Sequence, residues 1–293
     1  MASVQANGIT IEYEEQGQGE PLLLVMGLGG QLTDWPQDFV DQLAGRGFRV
    51  IRFDNRDIGL SSELDWTPPT RAQTARHLVL RSKPPVGYIV DDMANDAAGL
   101  LDAIGVDAAH VVGMSMGGMI AQSLAIRHAH RVLSLTSVMS NTGDRKNGRM
   151  TIGVVRKALR LPEPTRENAA EVSVEMFKLF AGPHFDPDEH LARGREAVAR
   201  SFRPVGTQRQ AAAIAASSDR TAALAAVTAP TLVIHGLLDT LVKPSGGIAT
   251  ARAVPHSRLL MFPDMGHDLP QPRWSQMIDA IEDNAPRTVA VGA

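Results

Sequence analysis

The chain has 293 residues, of which 44% are hydrophobic and 21% charged, and these proportions are ordinary for a globular protein. Its formal net charge is −3, with no basic stripe and no polybasic run, which argues against nucleic acid or an anionic membrane surface as a partner. The absence of cysteine excludes disulfides, thiolate metal sites and cysteine nucleophiles. We find neither a signal peptide nor a membrane span, so we predict a cytoplasmic location.

Strand and helix patterns alternate along the first part of the chain. Residues 9–14 alternate apolar and polar side chains, as in a half-exposed edge strand, whereas residues 22–26 form a continuous apolar run, as in a strand buried on both faces. A glycine-rich loop at 27–30 follows the second strand. The other predicted elements before residue 106 are a helix over 35–46, a strand over 49–53, a polar turn over 54–61, an irregular segment over 65–88 and a helix over 91–104.

A short apolar strand over 109–112 leads into Gly113-Met114-Ser115-Met116-Gly117 and then into a helix. This G-x-S-x-G spacing between a strand and a helix predicts a nucleophile elbow, in which Ser115 sits on a strained turn. We expect glycine at positions 113 and 117 because a side chain there would collide with the neighbouring strand or helix. The N-terminus of the following helix would place partial positive charge beside an oxyanion formed at Ser115.

The second half of the chain interrupts this alternation and then resumes it. After a strand over 131–138, residues 141–222 contain several helical patterns, proline breakers and no convincing strand. Because alternating strands and helices form a mostly parallel sheet, we predict a core from residues 1–140 and 223–293, with residues 141–222 inserted as a helical cap. The later predicted elements are strands over 230–236 and 258–262, helices over 244–253 and 274–283, and a disordered tail over 285–293.

Catalytic side chains are expected at the carboxyl ends of the strands, where ligands bind in open parallel sheets. A serine hydroxyl needs a general base, and His267 is the best candidate because it lies in the loop after the last predicted strand. Asp239, which follows the strand over 230–236, is the best candidate to orient that imidazole. Asp264 and Asp268 are rivals that rank lower because they lie too near His267 in sequence for easy alignment with its Nδ1 atom.

Two backbone N–H groups are candidates for an oxyanion hole: that of Met116, directly after the predicted nucleophile, and that of Leu28, in the loop after a buried strand. Apolar side chains of the predicted cap could line a pocket above Ser115 or bury the cap against the core. His184 and His190 are interpreted as surface residues of the cap. The candidate substrate contacts are Met114, Met150, Val154, Phe177 and Phe180.

With these residues the chain resembles the α/β-hydrolase superfamily over residues 8–284. The resemblance implies Ser115 as nucleophile, Asp239 as acid, His267 as base, and an eight-stranded, mostly parallel sheet flanked by helices with an inserted helical cap. The chain departs from the common pattern in having Met26 where many members have histidine, and Asp57 in place of a glycine of D-x-R-G-x-G-x-S. It is most similar to aclacinomycin methylesterases, which cleave a methyl ester on a polyketide, and to non-haem haloperoxidases. The likeness to the methylesterases rests on Leu24-Val25-Met26-Gly27 together with Asp54-Asn55-Arg56-Asp57. The likeness to the superfamily rests on Met26-Gly27-Leu28-Gly29, residues 54–61, Gly113-Met114-Ser115-Met116-Gly117-Gly118, Asp239 and Gly266-His267.

The leading hypothesis is a carboxylic-ester hydrolase that forms an acyl-enzyme on Ser115 and uses no cofactor and no metal. A cofactor-free perhydrolase of the haloperoxidase type and a carbon–carbon bond hydrolase are alternatives on the same scaffold, because the fold does not settle the function. A non-catalytic ligand-binding protein is a third alternative, against which the complete triad argues. The expected partner is a small apolar ester, and both a monomer and a homodimer are compatible with the sequence.

Overall fold

The computed structural model describes residues 1–70, 73 and 82–286. Eight strands form one sheet: β1 (Ala2–Ala6), β2 (Ile9–Gln16), β3 (Glu20–Val25), β4 (Phe48–Phe53), β5 (Ala109–Met114), β6 (Val132–Val138), β7 (Thr231–Gly236) and β8 (Arg258–Phe262). Their order across the sheet is β1-β2-β4-β3-β5-β6-β7-β8. The pairs β1–β2 and β2–β4 are antiparallel and all the others are parallel. The predicted eight-stranded, mostly parallel sheet is therefore confirmed.

The helices follow the strands in the alternation that the sequence predicts. The helices before β6 include α1 (Gln37–Gly45), α2 (Val90–Ala103) and α3 (Met116–Arg127). Five lie between β6 and β7: α4 (Ile152–Ala158), α5 (Ala169–Phe177), α6 (Pro187–Arg200), α7 (Pro204–Ala216) and α8 (Thr221–Leu224). The last two are α9 (Ser245–Ala253) and α10 (Trp274–Asn284).

Strand β3 shows how the sheet is buried on both faces. Leu23 and Val25 belong to one apolar cluster, which includes side chains of α2 and α3. Leu22 and Leu24 point to the opposite face, into a second cluster with side chains of α1 and α10. The continuous apolar run of this strand is thus explained, because every one of its central side chains faces a layer of helices.

Two terminal segments differ from the sequence-based expectation. The sequence pattern did not locate β1, because this strand pairs only with β2 and most of its side chains are exposed. Ala285 was expected in a disordered tail, yet it is buried and its N–H donates to the carbonyl of Glu282 (3.0 Å). The rest of that tail, residues 287–293, lies outside the described residues, as do 71, 72 and 74–81 of the segment that was predicted to be irregular.

Residues 141–222, called the inserted segment below, contain α4 to α7, the first two residues of α8 and no strand. They lie between β6 and β7, after the carboxyl end of β6 and before the amino end of β7. Within the described part of the chain, none of the helices combines the length and the apolar character that crossing a bilayer requires. Strands β3, β5, β7 and β8 are parallel, so the loops that follow them meet at one edge of the sheet, and the inserted segment starts from that edge.

Candidate active site

Ser115 lies on the tight turn between β5 and α3 with a backbone φ of 56°, in the left-handed region that non-glycine residues rarely adopt. A Cβ atom on Gly113 would lie 2.1 Å from the carbonyl oxygen of Gly117, and one on Gly117 would lie 2.0 Å from the carbonyl oxygen of Val25. The steric roles that the sequence assigned to both glycines are confirmed. The Ser115 N–H also donates to the carbonyl of Val138 (2.9 Å), which fixes the turn to the neighbouring strand.

The imidazole of His267 lies between a hydroxyl and a carboxylate. Its Nε2 atom is 3.0 Å from Ser115 Oγ, and its Nδ1 atom is 2.7 Å from Asp239 Oδ2. A carboxylate only accepts, so Nδ1 carries the proton and Nε2 presents its lone pair to the serine hydroxyl. The backbone N–H of His267 donates to the carbonyl of Phe180 (2.8 Å), so a residue of the inserted segment helps to hold the loop after β8. This arrangement can transfer the Ser115 proton to the imidazole.

Asp239 is 2% exposed and is held in a fixed orientation. Its Oδ1 atom accepts the backbone N–H groups of Leu241 (2.9 Å) and Val242 (2.8 Å), which leaves Oδ2 for the histidine. Burial raises the pKa of this carboxyl, but the charge of His267 and hydrogen bonds from His235 and His267 outweigh it, so the pKa lies below its ordinary value. The side chain is therefore a carboxylate at neutral pH and can stabilise an imidazolium.

The two rival carboxylates bind other groups. Asp264 pairs with Arg273 (2.8 Å) and with His184 (2.8 Å), and these hydrogen bonds hold its pKa far below the usual range. Asp268 Oδ1 accepts the backbone N–H groups of Gly182 (3.1 Å) and Gly266 (2.9 Å). Of the three candidate carboxylates, it is thus Asp239 that lies against His267 Nδ1.

The N–H groups of Leu28 and Met116 are the two candidates for binding an oxyanion. Within the described residues, neither group donates a hydrogen bond to the protein. Met116 is the first residue of α3, where helical N–H groups lack partners. The loop that carries Leu28 passes beside the nucleophile, because a Cβ atom on Gly27 would lie 3.3 Å from Ser115 Cβ. Leu28 is 43% exposed, so this side of the site is open to solvent.

The candidate substrate contacts fall into two groups. Met114 precedes Ser115 and is half-buried, and Phe180 packs edge-on against His267 with ring centroids 5.7 Å apart, with Phe177 next to Phe180 (5.1 Å). By contrast, Met150 is 42% exposed and Val154 is buried at the short helix α4. The structure thus places Phe180 against His267 and Met114 directly before Ser115. Met150 lies before Thr151, whose N–H donates to the carbonyl of Thr240 (2.9 Å), the residue after Asp239.

One histidine of the inserted segment differs from its sequence-based interpretation. His184 is exposed as expected, but His190 is half-buried, with its ring 4.1 Å from that of Phe177 and its Nε2 atom 2.9 Å from Ser173 Oγ. Burial and the nearby charge of Arg193 lower the pKa of His190 to about 4, so it is neutral near pH 7. The interpretation of His190 as a surface residue was wrong because the side chains of Phe177 and Phe185, from the preceding helix and loop, pack against its ring.

Buried charges attach the inserted segment to residues 54–61, called the polar loop below. Arg200 pairs with Asp54 (2.8 Å), and Arg209 pairs with Asp57 (3.0 Å). Asp57 stands where the superfamily pattern has glycine and keeps the backbone that glycine would favour, with a φ of 71°. Sequence reasoning noted this substitution but missed its partner, since nothing in a single sequence links position 57 to position 209. The available signal was an aspartate at a position where the superfamily pattern has glycine. A non-glycine residue with a left-handed backbone is strained, so a contact of its side chain is expected to offset that strain.

Among the described residues, no group of three histidine, aspartate or glutamate side chains is arranged to hold a metal ion. The site therefore consists of a hydroxyl, an imidazole, a carboxylate and free backbone donors. These groups support nucleophilic attack on a carbonyl carbon and stabilisation of the resulting oxyanion.

Comparisons with known proteins identify the family of the fold. The profile of the alpha/beta hydrolase fold matches residues 20–270. The chain is 33% identical over 273 residues to rhodomycin D methylesterase DauP of Streptomyces sp. strain C5, with 85% of each chain covered. It is 27% identical over 267 residues to BpoC of Mycobacterium tuberculosis, which carries the name of a non-heme bromoperoxidase, with 88% of this chain and 91% of that protein covered. A thermophilic esterase from Thermogutta terrifontis superimposes with a TM-score of 0.72 at 25% identity, over 98% of this chain and 100% of that one.

Proposed function

The chain belongs to the α/β-hydrolase family, and from that premise we propose that it is a serine hydrolase that cleaves carboxylic esters through an acyl-enzyme. The observation that carries the proposal is the imidazole of His267, which lies within hydrogen-bonding distance of both Ser115 Oγ and Asp239 Oδ2. Such a line of groups is what a weak nucleophile needs, because the base must be both near the hydroxyl and held in one tautomer.

In the first half-reaction His267 Nε2 takes the proton of Ser115 as Oγ attacks the carbonyl carbon of the ester. The N–H groups of Leu28 and Met116 donate to the oxyanion that forms. His267 then gives its proton to the leaving alcohol, and an acyl group remains on Ser115. In the second half-reaction His267 deprotonates a water molecule that attacks this acyl group, and Ser115 recovers its proton as the acid departs.

Residues 141–222 act in this proposal as a cap on a core made of residues 1–140 and 223–293. Support comes from Phe180, whose backbone carbonyl and ring both contact His267 from the inserted segment. An aromatic wall there favours an apolar acyl group. A methyl ester is the first substrate class to test, because DauP carries the name of a methylesterase. A cytoplasmic location and the choice between monomer and homodimer stay predictions.

The test uses Ser115→Ala with a short-chain aryl ester as substrate. We expect kcat to fall by about 10⁴-fold or more, because removal of a triad nucleophile leaves only binding and the oxyanion donors. Unchanged turnover in a folded Ser115→Ala protein would overturn the assignment. A panel of methyl, ethyl and butyl esters of one apolar acid then measures the alcohol preference.

A second candidate function is perhydrolysis, and the relationship to BpoC is the observation that favours it. Here hydrogen peroxide in place of water attacks the acyl group on Ser115 and releases a peracid, which oxidises halide. The same triad serves both reactions. Peroxide- and carboxylate-dependent bromination that is much faster than ester hydrolysis favours this candidate, and the reverse ratio favours the esterase.

A further inference from the structure

Gln210 is a buried glutamine of α7 that contacts two loops of the core. Its side chain is 0% exposed. Its Oε1 atom accepts the backbone N–H of Gly29 (2.9 Å), and its Nε2 atom donates to the backbone carbonyl of Arg56 (2.9 Å). One amide group thus bridges residues 27–30, called the oxyanion loop below, and the polar loop.

The partners of this amide fix its orientation. A flipped amide would face the Gly29 N–H with its own NH₂ group and the Arg56 carbonyl with its own oxygen, so both hydrogen bonds would be lost. Because the side chain is fully buried, water cannot replace either bond. Of the twenty side chains, glutamine is the one that supplies a neutral acceptor and a neutral donor at this length.

The oxyanion loop is a tight turn whose shape depends on the Gly29 peptide. The N–H of Gly30 donates to the carbonyl of Gly27 (3.2 Å), and Gly29 has a φ of 73°, as the third residue of a type II turn requires. The Gly29 N–H belongs to the central peptide of this turn, which points the other way in a type I turn. The hydrogen bond to Gln210 therefore selects one of two turn shapes. The choice also sets ψ of Leu28, and with it the path of the turn whose first peptide, Gly27–Leu28, carries the N–H that is proposed to bind the oxyanion.

Helix α7 supports the same turn by direct packing. A Cβ atom on Gly29 would lie 3.0 Å from Thr207 Oγ1, so the helix leaves no space for the turn to move toward it. The helix is in turn anchored to the polar loop by Arg209, which pairs with Asp57 (3.0 Å). Through Thr207 the inserted segment thus packs against the oxyanion loop, and through Arg209 it pairs with the polar loop.

We propose that Gln210 is a positioning residue that holds the Leu28 N–H in place for the oxyanion, so that docking of the inserted segment and assembly of the oxyanion hole are one event. This inference rests on the proposed function, because the oxyanion hole is part of it. Gln210 touches neither the nucleophile nor the substrate and acts through Gly29.

The test compares Gln210→Met with a matched control, Gln122→Met. Methionine has the length of glutamine but neither supplies the donor nor replaces the acceptor. Gln122 is also 0% exposed and also makes two hydrogen bonds, to Ser137 (3.1 Å) and from Arg220 (3.2 Å), away from both loops. We measure kcat and KM with the aryl ester, the thermal midpoint, and hydrogen exchange of the Gly29 amide.

For Gln210→Met we expect kcat to fall by about 10- to 100-fold with little change in KM, because misplacement of a catalytic group by an ångström costs up to that factor. Exchange of the Gly29 amide becomes faster. Gln122→Met loses thermal stability yet keeps the kcat of the parent. Equal kcat in the two variants, or unchanged exchange at Gly29, overturns the proposal. If the parent protein cleaves no ester, the proposed function fails by itself, and Gly29 exchange still decides whether Gln210 fixes the turn.

Discussion

The sheet carries two sets of serine, histidine and acid side chains, one at each end of β5. At the carboxyl end, His267 lies between Ser115 and Asp239. At the amino end, His110 Nδ1 is 2.9 Å from Ser134 Oγ, and its Nε2 atom is 3.3 Å from Glu20 Oε2. The same three chemical groups thus meet twice in one chain.

The backbone around each serine separates the two sets. Ser134 lies within β6 opposite His110, is 3% exposed, and has the ordinary conformation of a strand residue. Ser115 has a φ of 56° on a turn beside the free N–H group of Met116. A hydroxyl beside an imidazole is therefore common to both sets and does not by itself distinguish the proposed active site. The elbow, the free donors and access to solvent distinguish the site at the carboxyl end.

The largest contrast is expected from the two histidines. His267→Gln removes the general base, so we expect kcat on an aryl ester to fall by about 10⁴- to 10⁶-fold with the fold retained. His110→Gln is the control, and we expect it to keep kcat while the free energy of unfolding falls by about 1–3 kcal/mol, because buried hydrogen bonds are lost. Kinetics and urea unfolding of both variants measure this difference. Loss of activity in folded His110→Gln would remove the distinction between the two sets.

The two acids provide a smaller contrast. Asp239→Asn should lower kcat by about 10⁴-fold, because an amide lets the imidazole adopt the wrong tautomer and cannot stabilise its charged form. Glu20→Gln should leave kcat unchanged, since Glu20 lies at the opposite end of β5 from the oxyanion donors. The measurement is steady-state kinetics at saturating ester. Full activity in Asp239→Asn would mean that another group orients His267.

A feature of this fold or site could be predicted from the sequence when the residues that determine it lie close together in the chain. The elbow was predicted from consecutive residues, because the G-x-S-x-G spacing lies within one short segment and the clash that excludes a side chain at Gly113 is with Gly117. The apolar run of β3 predicted a buried strand for the same reason. The clash that excludes a side chain at Gly117 is with Val25 of β3 and needed the structure. The contact of Gln210 with Gly29 joins residues 181 positions apart, and no local pattern encodes it.

The smallest expected effect is on how the stability of the protein depends on pH. Burial lowers the pKa of His110 below its ordinary value of 6.5, an effect that Glu20 only partly opposes. The unfolded chain therefore binds a proton near pH 6.5 that the folded protein binds only at lower pH, so stability falls as the pH is lowered through this range. We expect the stability of His110→Gln to fall less steeply with decreasing pH, measured by urea unfolding from about pH 7.5 to about pH 5, a window chosen to include that value.

His190 provides an internal check on this experiment. Its pKa of about 4 gives a loss of stability in the same direction, and this loss persists in His110→Gln. The variant should therefore keep part of the pH dependence of the parent. Identical profiles for parent and variant would show that His110 titrates normally in the folded chain.

The most direct test of the central claim is to map the residue that a fluorophosphonate modifies. A fluorophosphonate reacts with a serine oxygen that a neighbouring base has activated, so we expect one adduct, on Ser115, and none on Ser134. The adduct should form much more slowly in His267→Gln and not at all in Ser115→Ala. Modification of another serine, or labelling of Ser115 at the same rate without His267, would contradict the assignment of Ser115 as nucleophile and His267 as its base.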